Sequence, residues 1–180
     1  IGADCAREFL EAGWRVGLLA RRADKLEAVA QGHENAHVFP CDVTEPAEVD
    51  AAFDAFVQRA GRLDVLFNNA GMFGRPATID ELEYDEWRQV VDVNLHGMFL
   101  CARAAFGQMR RQDPQGGRII NNGSVSAHVP RPGSATYTTT MEEAGEYLKV
   151  EVTPRASSGL TEGEPVMIGR LRTDWRTSGA

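Results

Sequence analysis

The sequence predicts an α/β domain built on a doubly wound parallel sheet. Short apolar runs alternate with helical patterns as far as residue 124, the helical patterns end on turn chemistry, and no internal repeat interrupts the alternation. The 180 residues, 43% hydrophobic, suffice for one domain with a sizeable core.

The elements follow in order. Ala6, Phe9 and Leu10 fall on one face of a helix over residues 2–12, which Gly13 stops. "WRVGLLA" (14–20) reads as a strand, "RADKLEAVA" (22–30) as a helix, and "HVFPCDV" (37–43) as an apolar run ending in turn chemistry. Thr44 is the expected cap of the next helix, with Pro46 in its first turn, and Val49, Phe53, Phe56, Val57 and Ala60 recur at helical spacing before Gly61. "LDVLFNNAG" (63–71) holds a buried strand and a turn. Residues 80–111 form a long helical region interrupted around His96-Gly97, and "GRIINNGS" (117–124) returns to strand. Beyond residue 141 the rhythm is lost: "EEAGEYL" can finish a helix, while "KVEVT" (149–153) and "PVMIGRL" (165–171) are strand candidates. The expected division is a partial domain over residues 1–147 and a divergent tail over 148–180.

Composition excludes several functions. Nineteen basic against 26 acidic side chains give a formal charge of -7, and no basic stripe interleaves with aromatics, so nucleic acid is not an expected partner. No run of 18 apolar residues and no secretory pattern is present, and Cys5, Cys41 and Cys101 lack metal-ligand spacing. The expectation is a cytoplasmic chain with reduced thiols, no membrane span and no metal. His33, His37, His96 and His128 do not cluster with carboxylates and read as surface or packing residues. The chain starts at Ile1 inside a helical pattern, which raises the expectation of a missing upstream segment.

"CDV" after one strand, "NNAG" after the next, "DVNLHG" in the long helix, and Ser124 thirteen residues before Tyr137 occur together in one order. In this the chain resembles the short-chain dehydrogenase/reductase family over residues 1–140. The resemblance implies a Rossmann-like sheet that lacks its first strand and usual C-terminal portion, and an NAD(P)(H)-dependent oxidoreductase interconverting a carbonyl and a secondary alcohol. Ile1-Gly2 resemble the end of the family's glycine-rich turn, so Gly2 would face a pyrophosphate. Arg21 stands where NAD-preferring relatives carry an acidic residue, which favours NADP(H) over NAD because a guanidinium can pair with a 2′-phosphate. Asp42 and Val43 would line the adenine, and Asn69, Ala70 and Gly71 would border the ribose. Taken singly, these residues read equally well as turn, cap or solvated-loop positions.

For the chemistry, the resemblance assigns Tyr137 as the proton donor to the carbonyl oxygen, Ser124 as a second hydrogen bond to it, and Asn94 as the holder of a water. Tyr137 is also placed against the cofactor. The family's lysine four residues after the tyrosine is Met141 here, with Glu142 and Glu143 beside it. A free tyrosine has a pKa of about 10, and without a neighbouring cation nothing lowers it. The expectations are therefore an enzyme by lineage whose activity is impaired, or a non-catalytic, shortened relative that keeps partial nucleotide binding or a pairing role. The helices spanning 85–111 and 134–147 would serve as a homo-oligomer face, and a small carbonyl or alcohol would be the substrate. The missing first strand would lie between the strands at 14–20 and 63–71, leaving two open sheet edges unless "PVMIGRL" or "KVEVT" fills the gap.

Overall fold

The computed structural model describes residues 1–123 and 166–170. "KVEVT", Ser124, Tyr137 and Met141 lie outside the described residues. Five strands form one sheet: β1 (Arg15–Ala20), β2 (Ala36–Pro40), β3 (Val65–Asn68), β4 (Arg118–Asn121) and β5 (Val166–Arg170), in the order β2-β1-β5-β3-β4. β1 pairs parallel with β2, and β3 parallel with β4. Between these pairs runs β5, antiparallel to both β1 and β3. The expected gap exists, and it is filled by residues of "PVMIGRL" running opposite to the other strands.

The helices cover both faces. Helix α1 (Gly2–Glu11) and α2 (Ala23–Ala30) enclose a core with the sheet in which Ala6, Leu10, Val16, Leu18, Leu26 and Ala30 are buried. On the opposite face α3 (Pro46–Ala60) and α5 (Met98–Arg111) pack around Leu19, Phe53, Phe56, Leu66, Cys101 and Ala105. Alternation along β1 divides Val16 and Leu18 from Leu19 between the two cores, as the period of two in a strand requires. A strand buried on both faces must be apolar throughout, and "VGLL" is. Phe9 and Trp14 meet edge to face at 4.8 Å, closing the turn from α1 into β1.

Two sequence expectations shift. Thr44 does not cap α3: the capping residue is Glu45, Pro46 opens the helix, and the Thr44 hydroxyl instead donates to Asp42 Oδ1 at 2.8 Å. The helix starts at Pro46, which leaves Thr44 one residue outside the capping position, and its hydroxyl proton goes to the carboxylate two residues back. The long helical region begins at Tyr84 rather than 80, where the Glu86 carboxylate accepts the Glu83 N–H at 3.2 Å. Helix α4 (Tyr84–Val91) then passes through a π-helical segment, Asp92–Gly97, into α5. The interruption expected at His96-Gly97 is the end of that widened segment. Among the described residues, no helix is long and apolar enough to cross a membrane.

Over Met167–Gly169 β5 has a partner strand on each side, so these central N–H groups face a ladder. Ile168 pairs with both Gly17 and Leu66. Ile168→Pro should therefore lower stability by at least about 2 kcal/mol in urea unfolding, through a lost ladder bond and an orphaned acceptor. Wild-type stability in this variant would mean that the strand is not seated.

Candidate functional site

The carboxyl ends of β1, β2 and β3 lie along one edge of the sheet, the edge at which open α/β folds bind ligands. A cavity of about 420 Å³ opens there. Leu19 and Ala20 supply it from β1, Arg21 and Arg22 from the turn after β1, Cys41, Asp42 and Val43 from beyond β2, and Ala70, Gly71 and Met72 from beyond β3. Val93 reaches it from the π-helical segment. Sequence-distant segments thus converge because each follows a parallel strand out of the sheet.

Arg21 is exposed and stands 4.0 Å from the half-buried Asp42 carboxylate. Asp42 is held in place on its other side: its Oδ1 accepts from the Thr44 N–H and hydroxyl, and its own N–H donates to Glu48 at 2.7 Å. The result is a cationic rim over a fixed carboxylate, with an apolar wall of Val43, Ala70 and Val93. Cys41 is buried beneath it, and burial followed by the nearby Glu48 and Asp42 charges pushes its thiol up to about 12. Cys101 is pushed to about 12 as well, chiefly by burial. Both thiols therefore remain protonated near neutral pH and act as core side chains.

Asn94 fixes the third wall. Its Oδ1 accepts the Met72 N–H at 2.8 Å, and its Nδ2 donates to the Met72 carbonyl at 3.0 Å. One side-chain amide thus satisfies both backbone groups of the residue that ends the "NNAG" turn. Gly71 sits tightly against this contact, since a Cβ there would lie 3.3 Å from Asn94 Oδ1. The π-helical segment approaches the second wall more closely still: a Cβ on Gly97 would come within 2.7 Å of Val43 Cγ2.

Four asparagines stitch the ends of β3 and β4 together. Asn68 Nδ2 donates to Asn121 Oδ1 at 2.9 Å, and Asn122 Nδ2 to Asn69 Oδ1 at 2.7 Å. Asn69 is thereby turned toward β4, while Ala70 and Gly71 face the cavity. Gly2 is buried as the first residue of α1. The structure therefore brings together Arg21, Asp42, Val43, Ala70 and Gly71 around one cavity, with Asn94 and Asn69 bracing its wall. Ser124 and Tyr137 fall outside the described residues. Sequence reasoning missed Met72 and Val93 as wall residues; each is adjacent to a singled-out residue, Gly71 and Asn94, and adjacency was the available signal. Among the described residues, no group of His, Cys, Asp and Glu is arranged to hold a metal.

The family model described as short chain dehydrogenase matches residues 1–142. The chain is similar to an uncharacterized oxidoreductase of Staphylococcus saprophyticus, with 36% identity over 182 residues, spanning 100% of this chain and 69% of that protein. Its fold is similar to that of the 3-ketoacyl-(acyl-carrier-protein) reductase of Brucella melitensis complexed with NADH, with TM-score 0.70 and 31% identity. It is also similar to an F189W actinorhodin polyketide ketoreductase with NADPH, with TM-score 0.70 and 30% identity. These matches cover 74% and 76% of this chain but only 56% and 53% of those two structures.

The wall contacts can be checked directly. Gly97→Ala should cost about 1–3 kcal/mol by overpacking against Val43. Asn94→Leu should cost about 1–3 kcal/mol by stranding both Met72 backbone groups. Chemical denaturation measures both, and two unchanged midpoints would contradict the wall as described.

Proposed function

This chain belongs to the short-chain dehydrogenase family, and from that premise we propose that its cavity is the nucleotide end of a site for NADP(H) serving hydride transfer between a carbonyl and a secondary alcohol. The observation that carries this reading is the placement of Arg21 at the carboxyl end of β1, on the rim of the cavity and next to Asp42. In dinucleotide sheets the residue after this strand meets the adenosine ribose, where an acidic side chain suits a free hydroxyl and an arginine suits a 2′-phosphate. Arg21 is exposed, so its guanidinium is open to a dianion without first being desolvated. The apolar Val43, Ala70 and Val93 fit an adenine plane.

When bound, the nicotinamide supplies or accepts the hydride. Tyr137 then moves the proton at the substrate oxygen and Ser124 holds that oxygen, while Asn94 braces the Gly71-Met72 wall. With Met141 in place of the lysine, the phenol lacks the cation that would bring its pKa down toward neutrality. The proposed catalyst is accordingly a slow one, acting on a small carbonyl or alcohol.

A second reading, a non-catalytic chain that pairs through its helices, is favoured by one specific feature. Phe99 and Phe106 are 55% and 61% exposed, seven residues apart on α5. Residues at that spacing share one helix face, and two open aromatic rings there suit a second copy or a related subunit.

Titration with NADPH and NADH separates the readings. Arg21→Ala should weaken NADPH about 10- to 100-fold, the worth of a charge-assisted bond, and leave NADH nearly unchanged. Met141→Lys should raise turnover of a generic carbonyl by about 10²-fold or more, with Tyr137→Phe abolishing it. No saturable binding of either dinucleotide would leave only the pairing role.

A further inference from the structure

Three basic side chains meet at the edge of the sheet opposite the cavity. β1 and β2 run parallel with Gly17 beside His37, so Arg15, two residues before Gly17, and Phe39, two residues after His37, project from the same face as the imidazole. That face is covered by α3, whose Phe56 ring lies 6.4 Å from the His37 ring and 6.3 Å from the Phe39 ring. Farther along α3, Arg59 brings its guanidinium 5.2 Å over the Phe39 ring. Arg15 closes the group by donating from Nη1 to the Arg59 carbonyl at 3.3 Å. The cavity lies at the other end of β1, about 16 Å away at the rise of a strand.

Arg7, Arg62, Arg75 and Arg103 each have a carboxylate oxygen within 3.2 Å. Among the described residues no carboxylate pairs with Arg15 or Arg59, although acidic side chains outnumber basic ones 26 to 19 in this chain. His37 shares that surrounding. The charged groups that act on it are Arg59 from α3 and Arg15 from β1, while α2 packs on the other face of β2 and sends none. Burial, then Arg59, then Arg15 hold the His37 pKa below its ordinary value. Like charges gathered this closely repel, yet both guanidinium heads are fixed, one over a ring and the other on a carbonyl. Neither needs to be ordered when an anion arrives, and the bond to Arg59 uses only one of several N–H donors on Arg15.

We propose that Arg15, Arg59 and His37 form a binding site for a compact dianion of the sulfate or phosphate type, taken up together with a proton on His37. The arginines supply permanent charge and forked donors, and the imidazole supplies a further charged donor once protonated. Without an anion a charged His37 faces two cations across a half-buried contact, so it stays neutral. A dianion between the three turns that repulsion into attraction, and the imidazole gains a proton. Binding and protonation are therefore linked, and affinity rises as pH falls through the histidine range. The site is separate from the cavity and does not depend on the nucleotide reading.

Calorimetric titration with sulfate at constant ionic strength tests this, because sulfate keeps both charges near pH 7.5 and near pH 5.5, so a change in affinity belongs to the protein. Sulfate should bind about three- to tenfold tighter at the lower pH. His37→Gln should bind at the higher pH within about threefold of wild type and lose the pH dependence, and Arg15→Gln and Arg59→Gln should each weaken binding about tenfold at both. An unchanged affinity in Arg21→Ala assigns the heat to this edge rather than to the cavity rim. Inorganic phosphate and glycerol 3-phosphate, compared at the higher pH, separate a free anion from a phosphate monoester as the preferred form, since a gain of about tenfold for the ester requires contacts beyond the phosphoryl group. The proposal is overturned by the absence of saturable sulfate binding, by binding that both arginine variants leave intact or that Arg21→Ala abolishes, or by equal wild-type affinity at the two pH values.

Discussion

A sheet cannot leave its centre open. β1 and β3 each present a row of backbone N–H and C=O groups to the space between them, and the flanking residues Val16, Leu18 and Leu66 are fully buried. Water cannot satisfy groups at that depth, so a strand must lie there. The chain meets the requirement with Val166–Arg170, drawn from far along the sequence and laid antiparallel to both neighbours. With that strand in place the two parallel pairs become one five-stranded sheet, and the two helical layers have a continuous surface to pack on.

The same strand lies beside the walls of the cavity. Backbone pairing is nearly indifferent to strand direction, so an antiparallel strand closes the sheet about as well as a parallel one. Ligand binding is not indifferent, because the direction decides which end of the strand, and which turn, sits over the ligand. The walls built from β1, β2 and β3 keep their form: Asp42 is pinned by Thr44 and Glu48, Met72 by Asn94, and Val43 by the close approach of Gly97.

Much of this was legible in the residues. The alternation of "WRVGLLA", "HVFPCDV", "VLF" and "RII" with amphipathic helices fixes the strands to within a few residues, because burial on both faces demands unbroken apolar runs. Arg21, Asp42, Val43, Ala70 and Gly71 were legible as a set only through the family resemblance, and the structure gathers them because parallel strands carry their ends to one edge. The direction of β5 was not. The apolar run "VMI" carries no direction, and strand polarity is settled by where the connecting chain must travel, which residue pattern does not encode. Thr44 was misplaced by one residue, because the helix opens at Pro46 and Glu45 takes the capping position. The π-helical segment at Asp92–Gly97 was legible as an interruption and not as a widening, because the hydrogen-bond offset of a helix leaves no mark in residue spacing over six residues.

The account stands on the seating of β5, and hydrogen–deuterium exchange reports that seating directly. The backbone amides of Met167, Ile168 and Gly169 should exchange as slowly as those of Val16–Leu19 and Leu66, since all belong to one ladder and open only with the whole sheet. Exchange of those amides at the rate of an open chain, while β1 and β3 stay protected, would contradict it.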